Sequence, residues 1–220
     1  MRAEGVHEWQ VWQWVDSALP GGGFAHSAGL EAAVQLRQVT DRPTLRAYLE
    51  ASLEQTAHSM LPLVTAAHRE PERLVEWDAL CEAFLRQHVA NRASRLQGRA
   101  IALTAEKVFG LRLLPDPMGS FAGHLAPLFG TATGRLGFPL ETAQRLLLFW
   151  HLRGLLAAAM RLNRLGPLEA QDWQRQLGPL GEALRERGAA LGVDDLCQTA
   201  PLQELWQGAH DRLTTRLFQS

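Results

Sequence analysis

The sequence predicts an all-α fold, and three observations carry that prediction. There are 38 leucines against 10 valines and 1 isoleucine. No valine lies between Val108 and Val193, whereas strands favour β-branched residues. Apolar residues recur at helical spacing in segment after segment, each bounded by a proline, a glycine or a capping residue. With 220 residues the chain suits one domain, 1-220, a multi-helix bundle able to bury roughly 70% of its unfolded surface.

The elements follow in order. Residues 7–15, with Trp9, Trp12 and Trp14, form a short amphipathic lead-in whose tryptophans suit packing. Residues 16–31 read DSALPGGGFAHSAGLE. Pro20 fixes φ while Gly21, Gly22 and Gly23 accept positive φ, so this stretch is a pre-shaped turn. Ser27 or His26 can cap a helix reaching about residue 37, with Glu31 in its first turn against the positive end of the dipole. Thr40 or Asp41 caps the next helix, with Pro43 in its first turn and Leu45, Leu49, Leu53 and Ala57 every fourth position. Pro62 divides it into 41–60 and 62–69, since an interior proline costs on the order of 3 kcal/mol.

Pro71 starts a helix with the stripe Trp77, Leu80, Cys81, Phe84, Leu85 and His88, the histidine at its core or edge. Asn91 caps a helix to Phe109 that carries Arg92, Arg95 and Arg99 on one exposed face. Residues 113–120 form a loop. A helix over about 120–135 follows, loosened by Gly123, Pro127, Gly130 and Gly134. Gly137 ends it and Pro139 begins the central apolar helix, about 139–165, where Gly154, Ala157, Ala158 and Ala159 allow neighbours close. A more polar helix over 168–187 is interrupted near Gly178, Pro179 and Gly181. The last helix starts near Pro201 and turns Leu202, Leu205, Trp206, Ala209 and Leu213 inward. The apolar ending, 216–220, suggests docking, because free tails are polar.

Totals exclude several functions. A net charge of −1 and an arginine ridge without interleaved aromatics disfavour nucleic acid; the ridge reads as a solvated helix face or as a surface for an acidic protein partner. Lys107 is the sole lysine, so the glycine run is no Walker-type phosphate loop. The longest apolar window, 146–160, contains His151 and Arg153, so no membrane span is expected. Cys81 and Cys197, far apart and without a signal peptide, point to a reducing cytoplasm and read as small core residues.

Two enzymatic chemistries have partial motifs in the sequence. Ala25-His26-Ser27-Ala28-Gly29 matches A-x-S-x-G, but a nucleophile elbow needs a strand before its serine and a sheet beneath it. The histidines at 7, 26, 58, 68, 88, 124, 151 and 210 include no pair at i, i+3 or i, i+4, and no C-x-x-C accompanies them. No catalytic residue, cofactor or metal site is therefore assigned, and a binding protein is the class that remains.

The chain resembles the urease accessory protein UreF family. The family's S-x-A-L-P-x-G-G-F-S-Y-S-x-G-L-E is matched by Ala18, Leu19, Pro20, Gly22, Gly23, Phe24, Ser27, Gly29, Leu30 and Glu31. Ala25 and His26 replace the common Ser-Tyr pair. Ser94, Arg95, Gly98 and Arg99 match its S-R-x-x-G-R block. Gly123-His124, Phe129-Gly130, Leu136-Gly137, Pro139 and Arg161-Leu162-x-x-Leu165-Gly166 follow in order. The ending matches H-E-x-x-x-x-R-L-F-x-S through His210, Asp211, Arg216, Leu217, Phe218 and Ser220, with Thr214 and Gln219 where tyrosine and arginine are common.

The resemblance implies an all-α, homodimeric, cytoplasmic chaperone subunit without catalytic activity. It would bind UreD (also called UreH), and the pair would recruit the GTPase UreG to deliver nickel to apo-urease. The tail would dock UreD. The alternative class is a stand-alone helical hydrolase or metal-binding enzyme.

Overall fold

The computed structural model describes residues 8–115 and 119–220. It is 72% helical, with no strand among the described residues, which is the class that the leucine-to-valine imbalance predicts. In chain order the helices are α1 (Glu8–Val15), α2 (Leu30–Gln35), α3 (Arg42–Ser59), α4 (Leu61–Arg69), α5 (Leu74–Phe84), α6 (His88–Phe109), α7 (Leu125–Arg135), α8 (Leu140–Arg161), α9 (Pro167–Ala189) and α10 (Pro201–Ala209).

Two apolar clusters fill the interior, and α8 belongs to both. Its Leu152 and Leu155 meet Leu49 and Leu53 of α3 and Trp173 and Leu177 of α9. About two turns earlier, Ala143, Leu146 and Leu147 join Trp14, Leu63, Ile101 and Phe129. A helix that is apolar nearly all round belongs at the centre, and α8 lies there. Trp14 stacks on Trp150 at 5.8 Å and meets the edge of Phe129 at 5.5 Å. Trp9 and Trp12 stay outside as an edge-to-face pair.

Local signals hold where both partners are close in sequence. The Asp41 carboxylate accepts from Thr44 N at 2.9 Å, and the Thr44 hydroxyl accepts from Asp41 N at 3.1 Å, a reciprocal cap. The chain divides at Met60, and Pro62 sits in the first turn of α4, where its missing N–H costs nothing. Gly137, at φ +76°, follows α7.

Several expectations change. Gln87, not Asn91, caps α6 by accepting from Ala90 N at 2.7 Å, so Asn91 lies inside the helix. His88 opens α6 rather than ending the α5 stripe; it is exposed, 3.3 Å from Asp211. Cys81 is buried, with burial pushing its thiol up, but Cys197 is exposed. α9 runs unbroken through Pro179. Gly130 and Gly134 tighten α7 rather than loosen it. A Cβ at Gly134 would lie 2.6 Å from the carbonyl oxygen of His68, and one at Gly130 would collide with that of Val64. Gly154, by contrast, has no neighbour at all within 4 Å of its Cβ position. On α10, Leu202 and Leu205 are 60% and 68% exposed, while Gln203 turns inward and Trp206 stacks on Tyr48. Gln203 is stable there because its amide donates to Tyr48 O at 2.8 Å. Part of the 113–120 loop lies outside the described residues.

Candidate docking site at the glycine turn

The turn over 16–31 and the tail over 210–220 form one site. Gly22, at φ +74°, lets the turn lie flat on α6: a Cβ there would be 3.4 Å from the Cβ of Ala100. Thr104 of the same helix donates to Pro20 O at 3.2 Å. A short 3-10 turn, Gly23–Ala25, then presents Phe24 outward, 73% exposed. Gly29, at φ +85°, begins α2 where Gln207 of α10 and the Tyr48 hydroxyl leave no space for a side chain.

The tail returns to this turn as a bent, non-helical segment bound by backbone. Ser27 N donates to Ser220 O at 2.6 Å, and Gln219 N donates to Ala25 O at 2.8 Å. The Ser27 hydroxyl donates to the same Ser220 oxygen at 3.1 Å, and His26 Nδ1 shares a 2.5 Å hydrogen bond with Ser220 Oγ. Ser220 is 1% exposed. The apolar ending therefore docks on its own chain through Phe218, while Leu217 points away at 61% exposure.

Glu31 is the centre of this arrangement. Its buried carboxylate accepts from Leu217 N at 2.7 Å, from Phe218 N at 3.2 Å and from His210 Nε2 at 3.1 Å. A carboxylate out of water is stable only when its lone pairs are filled, and here the tail fills them. The dipole reading of Glu31 thus captures its place in the first turn of α2 but not its function. Ser27 contributes a capping bond to α2 only weakly, accepting from Glu31 N at 3.4 Å.

Arg161, at the end of α8, ties both segments to the core. Its guanidinium lies 4.3 Å from the Phe24 ring and 4.1 Å from the Phe218 ring. It donates to Phe24 O at 2.7 Å and to Leu217 O at 3.2 Å. Cation–π contact with two rings holds the guanidinium where its fork reaches both carbonyls. At the other end of the tail, Arg92 holds Asp211 by a bidentate pair at 2.7 and 3.0 Å, with Arg216 3.6 Å from the same carboxylate. Burial pushes His26 down to about 4, helped by the charges of Arg92 and His210.

Ser94 and Gly98 of α6 serve a second construction. Asp78 of α5, itself buried, accepts from Ala122 N at 2.6 Å, Gly123 N at 3.0 Å and His124 N at 2.7 Å. The Ser94 hydroxyl accepts from Leu125 N at 3.2 Å and bonds His124 Nδ1 at 3.1 Å; His124 Nε2 bonds Glu82 at 2.7 Å. A Cβ at Gly98 would collide with Gly123 O. These bonds, spent on a side chain 44 residues away, are why 120–124 is not helical and α7 starts at Leu125. Arg95 and Arg99 point from α6 into a surface groove instead.

Ser27 is buried and its hydroxyl is engaged by Ser220, with no strand before it among the described residues. No group of three His, Cys, Asp or Glu side chains among the described residues is placed to hold a metal ion. A cleft of about 750 Å³ runs beneath the turn, with Ser52, His151, Gly154 and Gln203 in its walls. His151 bonds Ser52 at 2.8 Å and is driven by burial down to about 4. No helix among the described residues is long and apolar enough to cross a membrane.

Fold and site together define an all-α protein whose signature residues join distant parts of its own chain. Comparison with known proteins makes the class specific. The UreF family profile matches residues 39–178, and the chain belongs to the UreF family. It is 40% identical to urease accessory protein F of Oryza sativa subsp. indica, over 96% of this chain and 84% of the relative. The protein of the same name from Arabidopsis thaliana is 39% identical, over 100% and 95%. Urease accessory protein UreF of Arthrobacter sp. (strain FB24) is 30% identical over the full length of both.

Proposed function

We propose that this chain is a non-catalytic subunit of urease maturation, acting in the cytoplasm as a homodimer within a larger complex. It binds UreD (UreH) and recruits the GTPase UreG, so that nickel reaches apo-urease. One observation carries the reading: the turn and the tail, which hold the first and last motifs of the family resemblance, are hydrogen-bonded into a single surface. Phe24 and Leu217 stand outward on it, on either side of Arg161. Exposed apolar side chains on an ordered, hydrogen-bonded backbone are what an interface presents.

The tail supplies the UreD contact in this reading, and the Glu31 clasp supplies its shape. Deleting residues 215–220 should abolish capture of UreD and urease activation in a host lacking its own UreF. Intact capture and activation after that deletion would overturn the assignment. The same complementation assay separates an accessory protein from a stand-alone helical enzyme.

A further inference from the structure

A groove between the end of α5 and the first half of α6 differs in character from the clasp. It encloses about 710 Å³ and is walled by Arg86, Arg92, Arg95 and Arg99 over Leu85 and Leu96. Elsewhere the surface neutralises many of its arginines. Arg42 pairs with Glu169, Arg73 with Glu70 and Glu76, and Arg145 with Glu141 and Glu182. In the groove only Arg92 is closed in this way, by Asp211. Among the described residues Arg86, Arg95 and Arg99 have no hydrogen-bonded carboxylate. The groove's own Glu82 is taken by His124 and Asn91, with the charge of Arg95 nearby.

Three open guanidinium forks in one concavity call for anions. Arg95 and Arg99 lie one helical turn apart, about 6 Å between Cβ atoms, which matches carboxylates at i and i+4 of a facing helix. Leu96 between them suits an apolar side chain on that helix. The groove's walls hold no Trp, Tyr or Phe ring, and their one imidazole, His88, lies 3.3 Å from Asp211, so nucleic acid fits the groove less well. Through Arg92 and Asp211 the groove is continuous with the tail surface.

We propose that this groove docks an acidic helix of a partner protein, its carboxylates on Arg95 and Arg99 and an apolar residue on Leu96. The proposal rests on the accessory-protein reading for where that partner is found. The test is a double substitution, Arg95→Gln with Arg99→Gln, beside Arg95→Lys with Arg99→Lys. Affinity for UreD and for UreG is measured by calorimetry at 50 and 300 mM NaCl.

The glutamine pair should keep the wild-type unfolding midpoint and oligomeric state. It should lose roughly tenfold in affinity for one of the two partners, together with most of that interaction's salt dependence, and the lysine pair should recover part of it. Unchanged affinity and salt dependence for both partners would overturn the groove. So would a changed oligomeric state, which would make the occupant a second copy, or selective loss of binding to a 20-nucleotide RNA. If the wild type bound neither partner, the functional reading would fail by itself. The groove would then stand or fall on a synthetic helical peptide with glutamates at i and i+4 flanking leucine, which the wild type should bind about tenfold more tightly than the glutamine pair.

Discussion

Asp78 and Glu31 are both buried carboxylates that accept backbone N–H groups from a segment far along the chain, and each works beside a buried histidine. What they hold differs. Asp78 holds 122–124, a stretch continuous with α7 and pressed against Gly98 of α6. Glu31 holds 217–218, which follows α10 and its short 3-10 turn and lies outside any helix. The first clasp cannot open without moving α7 off α6. The second can open with the loss of one buried tail side chain, Phe218, from the apolar clusters, so it belongs toward the low end of the local-stability range. The same chemistry thus gives a structural joint in one place and a releasable one in the other.

The largest effects should come from the structural joint. Asp78→Ala strands three buried N–H groups and should cost about 3–5 kcal/mol, read as a lower midpoint in thermal or denaturant unfolding. Gly98→Ala should cost about 1–3 kcal/mol or more, because its methyl meets a backbone oxygen that His124 and Asp78 hold in place. If either variant unfolded like the wild type, the contrast would collapse.

Glu31→Ala should separate local from global stability. Its global cost should be smaller, about 1–3 kcal/mol, since the tail can leave and let water reach the freed groups. Hydrogen exchange at Leu217 and Phe218, and carboxypeptidase cleavage of the tail, should rise far more than exchange in α8. A uniform rise across α8 would mean that the tail is as integral as the 122–124 stretch.

Acid should sharpen the same division. His26 is neutral in the folded clasp until about pH 4, whereas an unfolded chain takes the proton near 6.5. The unfolded state binds more protons between those values, so the clasp is fully stable above about 6.5 and weakens as pH falls toward 4. Tail exchange should accelerate through that window, and His26→Gln should flatten the response. His151, driven down to about 4 by burial between α3 and α8, should weaken the core in the same window. Its effect should appear in global unfolding rather than in tail exchange.

The sequence makes the fold legible and the clasps mostly not. Leucine content, the Asp41 cap and the Pro62 break are local features, and each determines its own neighbourhood. Gly22 is legible as a turn position because only glycine is at ease at positive φ, whereas Gly29, at φ +85°, falls inside the helix expected from Ser27. The failures share a cause. Residues 120–124 look helical by composition, but their N–H groups are spent on Asp78. Gln203 looks like an outward polar residue, but Tyr48 O satisfies it inside, and Leu205 takes the outside. Glu31 looks like a dipole partner, but a segment 186 residues away fills its lone pairs. Periodicity carries no record of such partners.

The smallest expected effect tests where the releasable joint ends. Arg92 and Asp211 are both substantially exposed, and pairs of that kind contribute about 0.2–1 kcal/mol. Arg92→Gln should therefore barely move global unfolding. Asp211, however, lies directly after His210, whose ring fills the Glu31 carboxylate together with the tail amides. If the joint includes the end of α10, Arg92→Gln should speed exchange at Leu217 and Phe218 measurably at low salt, with less effect at high salt, where the pair is screened in both proteins. If those amides exchange at the wild-type rate, the joint begins at Glu31 itself, and Arg92 serves the groove rather than the tail.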